Sequence, residues 1–549
     1  MGYHSRPSIL EVFYENVEKE RDRIFLRQPY RGKWYEYTWG DTFEKVAQLS
    51  GLLKSLDLPA GSQIGILSKN CAQWIIADLA IFKAGHVSVP LYPNINAKTV
   101  YQILDHSEAR VVLVGKLDDW ESQKTGVPKG VTQIGFPMFC PSELPRWDEW
   151  PTKINPDYEK PVRTLDELAT IIYTSGTTGM PKGVMHSFQA FMEVVNVAFS
   201  LITPPPYPGF FSYLPLSHIA ERGLVETGAL YMCGTISFAE SLDSFAENLQ
   251  EAAPTIFLGV PRIWTKFQMG ILGKMDQVKL DTLLRVPLLN LLIKNKIKKG
   301  LGLHKAKYCF VGAAPMPVSL MIWFEKIDID ILEAYAMTEN CCYSHITLPG
   351  HKKHGYVGQS LPGSEVKISE EGEVLIKNPS LMMGYYKEPA LTEAAFSKGF
   401  LKTGDMGEVD AEGYLKITGR VKDNFKTSKG KYIAPNPIEM EILANENIEQ
   451  CCVAGHNIPQ PLCMVVLSEK ALQKSPKEVE DSLIHTMLDQ NNKLESHENL
   501  CKILIVKEPW TVENELMTPT LKIKRQAIDN KYGSLYEKWY AADGQVCRE

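Results

Sequence analysis

The chain has little of what would anchor, cross-link or charge a protein. No run of 18 apolar residues occurs in its 549 positions, so no segment reads as a membrane-crossing helix. Residues 1–22 contain no apolar stretch of the secretory type, and Arg6 stands where a myristoylation pattern needs Ser or Thr. The expectation is a cytoplasmic protein, at most peripheral on a membrane surface. Eleven cysteines are scattered with no C-x-x-C, an odd number without framework spacing, which points to free thiols. Formal net charge is −6, so binding to nucleic acid through overall charge is not expected. No G-x-x-x-x-G-K-[ST] occurs, which argues against a P-loop NTPase. No tandem repeat or low-complexity tract is present.

What is present is alternation. Through about residue 340, short apolar runs such as SQIGILS, HVSVPLY, ARVVLVG, ATIIYTS, FFSYLPL, TISFA, TIFLGV and AKYCFVGAA are separated by helix-length stretches. One of these, CAQWIIADLAIFKAG, ends on Gly85. This pattern predicts an α/β architecture with largely parallel sheets. Residues 116–168, rich in Pro, Trp and Asp and weakly periodic, read as a long surface excursion. From Gly363 onward EVKISEEGEVLIK and GEVDAEGYLKITGR alternate and break at Glu371-Gly372 and Glu412-Gly413, predicting hairpins. A small mixed α/β segment follows. At 549 residues at least two domains are required.

The stretch YTSGTTGMPKGV is the most specific signal. Gly176, Gly179 and Gly183 permit tight turns and close backbone approach, and Thr174, Ser175, Thr177 and Thr178 bring hydroxyls. Lys182 adds a mobile cation, so the set suits an anionic polyphosphate.

This loop resembles the signature of the adenylate-forming superfamily, which includes acyl-CoA synthetases, luciferases and peptide-synthetase adenylation domains. SYLPLSHIAER, PTIFLGVPRIW, FVGAAP, EAYAMTE, KTGDMGEVDAEGYLKITGR and MTPTLKIKR match in the expected order, covering about Ile9 to Arg525. SYLPLSHIAER and FLGVPRIW look most like the long-chain fatty acyl-CoA synthetase branch. The resemblance implies a multi-domain α/β fold. Residues 1–420 would form an AMP-binding domain of stacked α/β sheets with a β-rich subdomain. Residues 421–549 would form a small mobile α+β domain carrying the catalytic lysine.

It also implies a chemistry. A carboxylic acid is activated by ATP to acyl-AMP and pyrophosphate, and CoA then takes the acyl group and AMP leaves. Fatty acid, ATP, Mg2+ and CoA are the implied partners. Attack of one anion on another requires positive charge where they meet. Lys522 resembles the lysine that bridges carboxylate and α-phosphate, with Lys524 and Arg525 as neighbours in the same basic run. Glu339 resembles the magnesium-associated glutamate, with Thr174 grouped beside it, and Thr338 a phosphate-contacting threonine. Gly312, Ala313 and Ala314 resemble the adenine platform. Glu333, Ala334, Tyr335 and Ala336 belong to the nucleotide-contacting segment, Tyr335 lying against the base. Ala336 is a departure, because the branch usually has glycine there. Asp405 resembles the ribose-binding aspartate and Arg420 an arginine near ribose and phosphate. Lys422 falls at the hinge position. Lys429-Gly430 matches the turn of the thioester step, in a loop one residue longer than in many relatives. His218 falls near the acyl pocket.

Two other readings remain: an adenylating enzyme with a non-CoA acceptor, and a nucleotide- or lipid-binding scaffold without activity. A separate feature is LLRVPLLNLLIKNKIKKG, where Leu284, Leu288, Leu291 and Leu292 have helical spacing ahead of Lys294, Lys296, Lys298 and Lys299. The commoner arrangement is a core-packed helix with a solvated lysine end. The other is a helix lying on an anionic bilayer.

Overall fold

The apolar runs become the strands of two large sheets. In this computed structural model the described residues are 7–174, 180–518 and 522–549. The chain divides into two compact units. The larger comprises residues up to Ala314, Ser319–Glu365 and Ile376–Leu401, and the smaller comprises Pro315–Val318, Val366–Leu375 and Lys402–Glu549.

One sheet of the larger unit has seven strands, in the order Gly384–Tyr385, Lys182–Ser187, Leu168–Thr174, Val87–Leu91, Gln63–Leu67, Val111–Val114, Thr132–Gly135. Its pairs are parallel from Leu168–Thr174 outward to Thr132–Gly135. The other has nine strands, and the six from Ile331–Tyr335 through Tyr308–Val311, Ile256–Gly259, Gly209–Ser212 and Thr235–Phe238 to Ile24–Tyr30 are parallel. The predicted parallel architecture is therefore present.

The helix Ala72–Lys83 shows why this unit needs such length. Every residue in it is buried, and Gly85 ends the segment at φ +84°. A helix apolar all round packs on all sides, so it sits inside a core to which strands of both sheets contribute. Its two charges are paired: Asp78 with Arg222, and Lys83 with Asp157 at 3.5 Å.

Two expectations change. Residues 116–168 run largely over the surface, but not as a detached excursion. They supply the edge strand Thr132–Gly135 and bury Trp120, Phe136 and Trp147. Prolines and charges interrupt their apolar residues, so no sustained periodicity announces them. The leucine-lysine stretch is not one core helix either. It forms Gln277–Leu284 and Leu289–Gly300, separated where Pro287 is followed by Leu288 at φ 66°. No residue of the second helix is fully buried.

The smaller unit holds the predicted hairpin in which Leu415–Arg420 pairs antiparallel with the Asp405–Val409 part of its neighbouring strand, turning at Gly413 with φ +84°. Beyond it lies a four-stranded sheet, Ile448–Ala454, Leu462–Leu467, Ile503–Ile505 and Val546–Arg548. Cys451 and Val453 face one core, and Cys452 and Ala454 face the other. Both faces are covered, so these strands read as unbroken apolar runs. All eleven cysteines are unpaired, and burial pushes the thiols of Cys451 and Cys452 well up.

Candidate active site

Four neighbouring parallel strands of the nine-stranded sheet end at one edge, and sequence-predicted nucleotide and pocket residues lie in or just after three of them. After Gly209–Ser212 the chain reaches His218, and after Tyr308–Val311 it reaches Gly312, Ala313 and Ala314. Ile331–Tyr335 contains Glu333, Ala334 and Tyr335 and leads to Ala336, Thr338 and Glu339. In open α/β sheets the carboxyl ends of the strands are where ligands bind. Gly312 lies close against the next strand: a Cβ there would stand 3.2 Å from the Ala334 carbonyl oxygen. Ala313 holds φ 66°, a conformation costly for a residue with a side chain. Ala313 and Ala314 are exposed, leaving backbone and methyl groups as a flat, accessible shelf.

The phosphate-loop sequence is carried on a hairpin whose strands Leu168–Thr174 and Lys182–Ser187 are in register, Thr174 opposite Lys182. Ser175, Gly176, Thr177, Thr178 and Gly179 lie outside the described residues. The base of the hairpin is tied to the strand edge twice. Tyr385, on the short strand beside Lys182–Ser187, donates its hydroxyl to Glu339 Oε1 at 2.9 Å, and the Lys182 ammonium stands 5.2 Å from the same ring. His186 Nε2 donates to the Thr338 carbonyl at 2.7 Å. Burial holds the His186 pKa down at about 4, so the ring is neutral and its Nε2 carries the proton that bond needs. The structure thus brings Thr174, Lys182, Thr338 and Glu339 together. The sequence reading missed Tyr385 and His186. His186 closes the quoted loop motif, but nothing local marks its partner.

Other buried groups support this edge. Arg222 donates to Thr170 Oγ1 at 2.7 Å, in the strand leading to the loop, and pairs with Glu226 at 3.2 Å as well as with Asp78. Glu333 is pushed up to about 7, chiefly by burial, with Lys352 opposing the shift. His218 caps the short helix Ile219–Glu221, its Nδ1 accepting from the Ala220 N–H at 3.2 Å. Tyr335 lies 6.0 Å from the ring of His345.

In the smaller unit Asp405 and Arg420 are cross-strand partners, and the Arg420 Nε stands 2.9 Å from Asp405 Oδ1. Lys422 is exposed just beyond them. Lys429 and Gly430 occupy the turn between Phe425–Lys426 and Tyr432–Ile433, with Gly430 at φ +77°. The three basic rivals of the C-terminal motif separate by environment. Arg525 is mostly covered, its side chain 12% exposed, and it donates to both oxygens of Glu439 at 2.7 and 2.8 Å and to the Val453 carbonyl at 2.7 Å. Lys524 is half-buried. Lys522 is exposed, and its N–H donates to Thr518 Oγ1 at 3.0 Å.

Among the described residues no group of three or more His, Cys, Asp or Glu side chains could hold a metal ion. Glu339, as one carboxylate with Thr174 on the neighbouring hairpin, fits a magnesium ion whose other ligands are phosphate oxygens and water.

The family profile of AMP-binding enzymes matches residues 13–386, and that of the AMP-binding enzyme C-terminal domain matches 422–544. The chain belongs to the AMP-binding enzyme family. Within this adenylate-forming family its similarities run to the long-chain branch. It is 27% identical to long chain acyl-CoA synthetase 5 of Arabidopsis thaliana, over 97% of this chain and 92% of that protein. It is 29% identical to long-chain-fatty-acid–CoA ligase 5 of Rattus norvegicus, over 93% and 85%. Among solved structures, the adenylation domain of a carboxylate reductase from Mycobacterium chelonae shares the fold at a TM-score of 0.81 and 20% identity, over 98% of this chain and 92% of that one. The o-succinylbenzoate CoA synthetase of Bacillus subtilis, solved with ATP and a magnesium ion, shares it at 0.72 and 22%, over 95% and 99%.

Proposed function

We propose that this family member is an ATP-dependent fatty acyl-CoA synthetase acting on long-chain acids. The observation that carries the reading is the Lys182–Tyr385–Glu339 arrangement at the carboxyl edge of the parallel strands. It sets a cation and a hard carboxylate where a triphosphate, held by the hairpin loop, would meet magnesium. The names of the curated relatives support the long-chain acid and the CoA acceptor.

In this proposal Gly312, Ala313 and Ala314 receive the adenine, with Glu333, Ala334, Tyr335 and Ala336 beside it. Thr174, Ser175, Gly176, Thr177, Thr178, Gly179 and Lys182 hold the β- and γ-phosphates as a leaving group. Thr338 contacts phosphate, and Thr174 and Glu339 hold the magnesium. That ion, when bound, neutralises charge on the departing pyrophosphate. Asp405 accepts from the ribose hydroxyls and Arg420 lies near them. Lys522 supplies the positive charge between carboxylate and α-phosphate, a task suited to a flexible point charge. The 421–549 domain then pivots at Lys422, which presents Lys429-Gly430 for the thioester step. His218 borders the acyl group. The test is pyrophosphate release over acids of graded chain length, with and without CoA. Release with long acids, plus a CoA thioester, is expected. Acyl-AMP without a thioester would reassign the acceptor, and no release with any acid would leave a binding scaffold.

A further inference from the structure

We propose that the helix pair Gln277–Leu284 and Leu289–Gly300 is a docking surface for anionic phospholipid bilayers. The second helix presents one exposed stripe at positions 291, 292, 295, 296 and 299, the i, i+3, i+4 spacing of a single helical face, and its N-cap Leu288 is exposed ahead of that stripe. The stripe is divided along its length. Its first part is Leu291 and Leu292, exposed at 59% and 66%, with Leu288 ahead of them at 83%. Its last part is Lys296 and Lys299. The opposite face, Leu289, Ile293 and Ile297, is half-buried and accounts for the packing of the helix on the protein.

The loop between the helices extends the apolar end. Val286 and Pro287 are exposed, Leu288 is carried outward at φ 66°, and Asn290 Nδ2 fixes the tip by donating to the Leu284 carbonyl at 2.8 Å. Val278, on the first helix, is 76% exposed. Contiguous leucines in water are costly, and an apolar tip bounded by polar residues marks an interaction surface.

Charge selects the occupant. Residues 274–299 carry seven cations and two carboxylates, in a chain whose net charge is −6. Asp281 is engaged by Lys326 at 3.5 Å, and Asp328 offsets only Lys294, at 2.8 Å. Lys274, Lys279, Arg285, Lys296 and Lys299 are exposed in the same stretch of chain as the leucines. An apolar tip that inserts at headgroup depth, with exposed cations on the same helices and loop, is complementary to a bilayer bearing anionic lipid. No helix among the described residues is long and apolar enough to cross a membrane, so the contact is peripheral. The benefit, extraction of a poorly soluble acid from the bilayer, rests on the proposed fatty-acid activity. The surface itself does not.

The full chain is sedimented with vesicles of phosphatidylcholine alone and of phosphatidylcholine mixed with phosphatidylglycerol, without ATP or acid. Binding is therefore read independently of activity. Expected is binding to the mixed vesicles at low salt, little to phosphatidylcholine, and release as salt rises. Lys296→Glu with Lys299→Glu weakens partition by about tenfold or more. Leu291→Ser with Leu292→Ser weakens it severalfold, and both double variants keep the wild-type melting temperature. No binding to the mixed vesicles at low salt overturns the proposal, as does equal binding by wild type and both variants. A lipid-free dimer that the leucine variant abolishes, with no vesicle binding, gives the face to a second copy instead.

Discussion

Tyr385 is the residue whose role is least visible without the fold. Its hydroxyl orients Glu339, and its ring lies beside Lys182. A hydrogen bond to a charged acceptor contributes about 1.5–3 kcal/mol. Tyr385→Phe is therefore expected to raise the magnesium concentration for half-maximal pyrophosphate release by about tenfold. The check is a magnesium titration in which Tyr385→Phe and wild type would coincide if the bond is unimportant. Glu221 offers a pH test. It is fully buried, accepts from the Tyr213 N–H at 3.0 Å, and burial pushes its pKa from 4.5 to about 8. A carboxyl held protonated in the fold contributes stability that is complete below pH 4.5 and is lost as pH rises towards about 8. Glu221→Gln keeps the accepting oxygen and removes the titration. Its urea midpoint is expected to rise relative to wild type across that window and to run parallel above it.

At the scale of elements, the hairpin carrying the loop depends on a buried ionic group from elsewhere. Arg222 opens a π-helical turn, Arg222–Thr227, and reaches Asp78, Glu226 and Thr170 at once. Such turns recur at functional sites because they aim side chains out of helical register. Burial raises the carboxyls of Asp78 and Glu226, while Arg222 pulls both the other way. Arg222→Met leaves two buried carboxyls without their cation. It is expected to cost about 3–5 kcal/mol, the penalty for breaking a buried pair on one side. Chemical denaturation measures this, and a loss under about 1 kcal/mol would show the group contributes little. The strands of this region were legible as apolar runs, and Gly85 and Gly413 were legible as stops because each needs positive φ. The edge strand Thr132–Gly135 and the two-residue strand Gly384–Tyr385 were not. A strand that short has no period of its own, and only its neighbours define it.

At the scale of the whole molecule, the proposed reaction separates into halves carried by different residues. Lys522→Ala is expected to abolish acyl-AMP formation, by about a hundredfold or more, while supplied acyl-AMP is still converted to thioester. Gly430→Val forces a β-branched residue to φ +77° in the turn and is expected to do the reverse. Paired pyrophosphate-release and thioester assays on both variants check the assignment. If both variants lose the same half, the division of labour is wrong.

The sequence by itself determined the α/β class, most strands and the family's motifs. Those signals are local: a run of β-branched residues, a glycine at a turn, a loop whose spacing is its chemistry. Only the tertiary structure separated the environments of residues that look alike along the chain. Lys522 and Arg525 lie three positions apart in one basic run, yet Arg525 is held, 12% exposed, in an ion pair with Glu439 while Lys522 is exposed. The leucines at 288, 291 and 292 have the spacing of a core helix, yet Pro287 breaks the helix and turns them to solvent. Burial and ion pairing depend on residues distant in sequence, and no short stretch carries that information.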